Sequence, residues 1–244
     1  MDDYTEDTFF NGRVTVKQPR AGYRYSIDAV ILAGHVRPRP EDRIVDLGTG
    51  CGIIPLILGF RYPGITLSGV EIQAELADFA RANVAANHLE QRVDILPVDM
   101  RTLKSSTFPA PVDVVVSNPP FYRMSSGRIN PESQRAIARH ELKVTLEDVL
   151  KAAERVLRTA GKFVCIYGSD RLVDLLAGMR TCHIEPKFMR LIHSKIGTDA
   201  DARLALVEGV KQGNSGLIAG PPLFIYREDG EYTDEIQRMF APEP

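Results

Sequence analysis

From residue 43 onward, short apolar runs alternate with helical patterns, which predicts an α/β protein with a seven-stranded, mostly parallel sheet covered on both faces. Three observations carry this. Strand-like runs at 43–48, 65–72, 93–98, 112–117 and 162–167 are separated by helical periodicity at 53–61, 74–87 and 146–157, with a further helix at 170–180. Two more apolar stretches, 188–193 and 203–209, flank the polar turn KIGTDAD and read as a C-terminal antiparallel hairpin that extends the sheet. The first strand passes into its helix through DLGTGCG, a glycine-rich turn.

Bulk properties narrow the class. The chain has 244 residues, 44% of them hydrophobic, which is ample for one packed core, and a formal net charge of −2. That charge argues against a generally basic coating protein but leaves room for a local basic face. The cysteines at 51, 165 and 182 form no CxxC pair and no even-numbered framework. The acidic start MDDYTEDTFF lacks a basic flank and apolar run, and no window reaches transmembrane length. A reducing cytoplasm is the expected setting, with no membrane association.

Taken in order, residues 1–8 are acidic and are expected to be loose. Residues 13–24 carry Arg13, Lys17, Arg20 and Arg24 and no acid; their VTV alternation predicts a short edge strand ended by Pro19. A helix follows over DAVILAGHV, with Ser26 or Asp28 as its cap, closed by Pro38 and Pro40. Residues 1–42 thus form an N-terminal basic extension to a main domain at 43–244. The last segment, PPLFIYREDGEYTDEIQRMF, predicts a short strand and a terminal helical turn. One connection stands out. The stretch from Pro119 to Leu146 is longer than usual and predicts a functional insertion at about residues 122–145. It holds Arg123, Arg128, Arg135, Arg139 and Lys143 against only Glu132 and Glu141.

Acids recur at strand ends. Asp46 precedes the glycines; Glu71 ends the second strand, about twenty residues on, where its carboxylate can accept from both ribose hydroxyls of a nucleotide. Asp99 ends the third, placed to accept from an adenine amino group. Gly48 and Gly50 allow a close backbone approach around Thr49, and Gly52 allows tight packing of the helix. Asp46 beside the glycines repels a diphosphate and suits a cationic ligand, so S-adenosylmethionine is favoured over NAD. A P-loop is excluded because no GK[ST] follows the glycines.

The fourth strand, VDVVVS, stops at Asn118-Pro119-Pro120-Phe121-Tyr122. Two prolines cannot continue a central strand, so the carboxamide is fixed at its end with aromatic faces behind it. An adenine exocyclic amine is a poor nucleophile because its lone pair is delocalised. Asn118 through its side-chain oxygen and Pro119 through its carbonyl can each accept one N–H and draw the nitrogen toward tetrahedral geometry. Phe121 offers a stacking face worth roughly 1–3 kcal/mol, and Tyr122 can share that role or pack at the rim. Cys51 reads as a space-filler and Cys165 as core. His140 has no partner at metal-ligand spacing, and no metal is expected.

These motifs together resemble a class I, Rossmann-like methyltransferase of the amino-methylating branch. GYRYSIDAVILA, DLGTGCGIIPL, GVEIQAELADFARANVAAN, VVSNPPF, ARHE, LEDVLKAAERVL, LVEGVK and PPLFIYREDGEYT resemble, over about residues 9–235, the tRNA1(Val) adenine-37 N6-methyltransferase family. The resemblance implies methyl transfer from S-adenosylmethionine to adenine N6 in RNA, with S-adenosylhomocysteine as product. It implies that the block before the glycine strand covers the cofactor, with Tyr25, Ser26 and Asp28 near it, Asp28 holding the cofactor's amino group. With them, Asp46, Gly48, Thr49, Gly50, Gly52, Glu71, Ile72, Asp99, Met100 and Asn118 would hold the cofactor. Asn118, Pro119, Pro120 and Phe121 would form the catalytic motif, and Tyr122, Arg123, Arg139, His140 and Arg24 would meet the RNA. No obligate protein partner is implied, and the protein would be a monomer or homodimer.

Alternatives remain at this stage. Glutamine N5-methylation of a protein uses the same NPP core, although those enzymes resemble something else upstream, a helical domain, where this chain has 42 residues with a basic run. Other RNA or DNA adenines are a second possibility. A cofactor-binding scaffold without activity is a third, and would predict a defective Asn118 or acidic set, both of which are intact.

Overall fold

A computed structural model describes residues 4–20, 25–119, 144–197 and 201–241. Its centre is a sheet whose strands are β3 (Arg43–Leu47), β4 (Thr66–Val70), β5 (Val93–Leu96), β6 (Val112–Ser117), β7 (Leu157–Gly168), β8 (Ile184–Lys195), β9 (Leu204–Lys211), β10 (Ile218–Ala219) and β11 (Leu223–Tyr226). The order is β10-β8-β9-β7-β6-β3-β4-β5, with β11 also on β8. Only β9 runs against its neighbours, pairing antiparallel with β7 and β8. The expected parallel sheet and C-terminal hairpin are therefore present. Among the described residues the sheet has nine strands, where seven were expected. Beyond those seven, β11 is the short strand expected in the last segment and β10 is new; they lie one after the other along β8 and together make a parallel edge.

Each strand alternates its side chains between two cores. Val114, Val116, Val164 and Ile166 face one layer with α1 (Ile27–His35), α2 (Ile53–Arg61) and α3 (Ala74–Ala86). Val115, Phe163, Cys165 and Tyr167 face the other, with α4 (Leu146–Val156) and α5 (Leu172–Thr181). Helix α4 begins at a reciprocal cap: Thr145 Oγ1 accepts from the Asp148 amide at 3.1 Å, and the Thr145 amide donates to Asp148 Oδ2 at 2.9 Å. Strand β7 starts earlier than its apolar pattern, because Leu157 pairs with Val112 before a register shift brings Lys162 opposite Val114.

Residues 4–8 are not loose as expected. β1 (Tyr4–Phe9) pairs antiparallel with β2 (Val14–Pro19) in a separate two-stranded sheet. Phe9 stacks on Phe240 of α6 (Asp234–Phe240), and Phe10 stacks on Phe60 of α2 with ring centroids 4.6 Å apart. This hairpin shares the α1–α3 core.

Candidate active site

Strand register assembles the site. Asp46 on β3 lies beside Gly69 on β4 and Val116 on β6, and Gly69 lies beside Ile95 on β5. Two residues on, Gly48, Glu71 and Asn118 therefore emerge together at the carboxyl edge, where ligands of open α/β sheets bind. Ser117 ties the end of β6 in place, its hydroxyl donating to the Leu47 carbonyl at 2.8 Å.

The glycine loop is held by its neighbours. The Gly48 and Thr49 amides donate to the Val70 carbonyl at 2.9 and 3.0 Å, and the Gly50 amide donates to Glu71 Oε2 at 2.9 Å. Gly48 has φ +79°, and a Cβ there would meet nothing nearer than Met100 Cε at 3.9 Å, so the space above it is open. Gly52 is the left-handed N-cap of α2, and a Cβ there would sit 3.2 Å from Ala80 Cβ on α3. Both positions need glycine, for φ at the first and for φ and close packing at the second.

Glu71 is buried, and its oxygens accept from two backbone amides, Gly50 and Gln73, each at 2.9 Å. Burial raises its pKa. This carboxylate therefore locks the loop, and each oxygen keeps a further lone pair for a ligand. Asp99 caps a short 3-10 turn and is gripped by Arg101, whose Nε donates at 2.9 Å and whose terminal nitrogen lies 2.6 Å away. Arg101 lowers its pKa. Met100 is buried and Ile72 is half-buried at adjacent strand ends.

Asp46 is fully buried, and neither carboxylate oxygen has a hydrogen-bonding partner. Burial pushes its pKa up to about 7; the nearby Thr49 hydroxyl dipole offsets part of the rise and the charge on Glu71 adds to it. Thr49 Oγ1 and Asn118 Oδ1 are likewise buried without partners. Four unpaired oxygens at the ends of β3 and β6 make a site that favours a ligand bearing hydrogen-bond donors and positive charge. Pro119, next along, is buried.

Upstream, the Tyr25 amide donates to Gln18 Oε1 at 3.2 Å and its ring packs against Phe9. Ser26 occupies the N-cap of α1 without a side-chain capping bond, and Asp28 in the first turn is half-buried with its pKa raised by burial. Pro120, Phe121, Tyr122, Arg123, Arg139, His140 and Arg24 lie outside the described residues, as does almost all of the expected insertion. Of the described basic residues on the hairpin, Arg13 is exposed, Lys17 lies over the Tyr4 ring, and Arg20 donates to the Tyr4 carbonyl at 3.3 Å. Burial pushes the Cys51 thiol up to about 12, which makes it inert packing. Among the described residues, no group of His, Cys, Asp and Glu is placed to hold a metal, and no helix is long and apolar enough to cross a membrane.

Two residues of this region were not marked by motif reading. Arg101 escapes because a single arginine after a strand carries no spacing signal. Asn83 is different: it falls in the apolar stripe Leu76, Ala77, Ala80, Val84 of α3 and is fully buried. A polar residue on the core face of an amphipathic helix is the signal that finds it.

Residues 25–173 match the model of the methyltransferase small domain family. A protein of Porphyromonas gingivalis named tRNA1(Val) (adenine(37)-N6)-methyltransferase is 35% identical over 97% of this chain and 94% of its own. A relative of the same name from Aeromonas hydrophila is 25% identical over 93% of this chain and 92% of its own. Among solved structures, a predicted O-methyltransferase from Agrobacterium tumefaciens superposes with a TM-score of 0.69 at 22% identity, covering 88% of this chain and 98% of that one. A geranyl diphosphate methyltransferase in complex with S-adenosylmethionine superposes with a TM-score of 0.52 at 16% identity, covering 75% of this chain and 84% of that one. These two share the fold.

Proposed function

Because this chain belongs to the methyltransferase small domain family and to the tRNA1(Val) (adenine(37)-N6)-methyltransferases within it, we propose that it methylates N6 of adenine 37 in that tRNA, using S-adenosylmethionine. The single observation that carries the chemistry is the buried, unpaired Oδ1 of Asn118 at the end of β6, beside the strand that feeds the glycine loop. When bound, S-adenosylmethionine supplies a methyl group on a sulfonium sulfur. The residues present suit it: the open space over Gly48 admits a ligand to the backbone, and the Asp46 and Thr49 side-chain oxygens are buried with no hydrogen bond made.

The chain's own task is to orient the acceptor. Asn118 Oδ1 accepts one amino hydrogen of the adenine and the Pro119 carbonyl accepts the other. This draws the nitrogen lone pair out of conjugation and fixes it near the roughly 3–3.5 Å needed for in-line attack. No strong base is needed before attack, because the nitrogen becomes cationic only on gaining the methyl group and then releases one of its two held protons to solvent. A donor or acceptor held ready for developing charge lowers the barrier by about 3–4 kcal/mol. The base must leave its stack to reach this edge, and a loop adenine does so at low cost. Phe121 gives it a stacking face, while Arg13, Lys17 and the basic residues of 122–145 follow the phosphates. A tRNA substrate supports a cytoplasmic setting.

The test incubates purified protein with labelled S-adenosylmethionine and RNA from cells lacking this activity, then digests the RNA and identifies the labelled nucleoside by mass spectrometry. The reading expects N6-methyladenosine, mapped to an anticodon-loop fragment of tRNA1(Val). Label in another nucleoside, or in glutamine when a protein extract replaces the RNA, would refute it.

A further inference from the structure

The two asparagines of α3 do something that helix propensity does not explain. Asn87 accepts from the Thr15 amide at 2.9 Å and donates to the Thr15 carbonyl at 2.7 Å. Asn83 does the same for Lys17, at 2.8 and 2.7 Å. Each carboxamide thus imitates one residue of a missing strand along the open edge of β2. The spacing matches because two strand residues advance about 6.6 Å and four helix residues about 6.0 Å. Asn83 has one further bond. Its Nδ2 also donates to the Cys51 carbonyl at 2.9 Å, inside the glycine loop. The same carboxamide, fully buried, holds the hairpin on one side and the loop on the other.

We propose that Asn83 is a positioning residue for the cofactor, transmitting the placement of the β1–β2 hairpin to the glycine loop. This rests on the reading of that loop as the S-adenosylmethionine site. The loop's amide side is fixed by Val70 and Glu71, and the Asn83 bond to Cys51 adds a grip on its carbonyl side. Without that bond the Cys51 carbonyl loses this grip, while the Thr49 and Gly52 carbonyls beside it stay bonded to the Gly52 and Leu56 amides. Asn87 supplies an internal control, because it makes the matching pair of bonds to β2, and its further bond, at 2.7 Å, goes to the Asn83 carbonyl within α3.

The experiment measures S-adenosylhomocysteine binding by calorimetry for the wild type, Asn83→Ala and Asn87→Ala, with thermal melts of all three. Asn83→Ala is expected to weaken binding at least tenfold and to raise KM for S-adenosylmethionine while kcat at saturation stays within about threefold. Asn87→Ala, with a comparable loss of melting temperature, is expected to bind within about twofold of wild type. Equal weakening in both variants would mean the hairpin acts only through general stability, and would overturn the proposal. So would unchanged binding in Asn83→Ala. Hydrogen exchange on the wild type alone provides a second reading: S-adenosylhomocysteine should slow exchange of the Thr15 and Lys17 amides, and no change there overturns the coupling. If the wild type fails to bind S-adenosylhomocysteine at all, the assignment of the loop itself falls, and this inference with it.

Discussion

Replacing Asp46 by Asn will make the ligand-free protein more stable at pH 8 and less able to hold its cofactor. The argument starts from a carboxylate that is fully buried with both oxygens unpartnered. Its pKa stands at about 7 against an ordinary 3.8, chiefly through burial. A group whose folded-state pKa is raised binds its proton more tightly folded than unfolded. Stability is therefore greatest at low pH and is lost as pH rises from 3.8 to about 7. At about 1.4 kcal/mol per pH unit, the loss reaches about 4 kcal/mol by pH 8. Asparagine keeps the shape and never ionises. Urea unfolding of both proteins between pH 4 and 8 will show near-equal stability at pH 4 and a gap opening toward 4 kcal/mol at pH 8. Asp28 titrates in both proteins and cancels, whereas Glu71 is coupled to Asp46 by charge, so the difference reports Asp46 together with that coupling. Over the same range, S-adenosylhomocysteine affinity of the wild type will rise as Asp46 ionises, whereas the variant will bind more weakly and without that dependence. A gap independent of pH, or a variant less stable at pH 8, would refute the reasoning.

Three further outcomes are expected. Asn118→Ala will lower kcat by about two to three powers of ten, the usual loss for one preorganised hydrogen-bonding group, while S-adenosylhomocysteine affinity stays within severalfold; near-normal turnover in a single-turnover assay would remove Asn118 from the mechanism. Gly52→Ala will destabilise the fold by more than about 1 kcal/mol in urea melts, since it places a Cβ at positive φ, 3.2 Å from Ala80 Cβ. Arg13→Ala, at an exposed position on the hairpin turn, will weaken tRNA binding and flatten its logarithmic salt dependence by about 0.7, the value for one single-strand phosphate contact; an unchanged slope would place the RNA elsewhere.

How much of this was legible in the sequence depends on whether the determining partner lay nearby in the chain. β6 and α2 fall on their expected bounds, Val112–Ser117 and Ile53–Arg61, because proline and glycine delimit them locally. The acids and glycines of the site were legible for the same reason, since strand ends of a parallel sheet share one edge. β1 was not. YTEDTF carries two acids and has weak alternation, and it is a strand because β2 pairs with it and Phe9 and Phe10 find aromatic partners on α6 and α2. β11 is the short strand expected in PPLFIY, whereas β10 escaped because an edge of two residues has no period to read. Motifs located Glu71 and Asp99, but not that Gly50, Gln73 and Arg101 already engage them. Hydrogen-bond partners are a property of the folded chain, not of a motif.

Two asparagines separate structural from chemical use of one side chain. Asn83 is buried with three bonds to the backbone, so its carboxamide is spent on holding β2 and the loop. Asn118 Oδ1 is buried with none. A folded protein has no stability reason to keep such an oxygen, whose burial costs about 1–3 kcal/mol. Yet the surroundings hold it there: Ser117 is bonded to Leu47 just before it, and the buried ring of Pro119 follows. The same holds for Asp46, whose neighbours on β4 and β6 keep it in the sheet despite the charge it cannot share. Unpaired oxygens at the adjacent ends of β3 and β6 are what a site looks like when its missing partners belong to ligands. Filling either position with an apolar side chain should therefore stabilise the fold and abolish the chemistry together, a pairing that no purely structural role for these residues would produce.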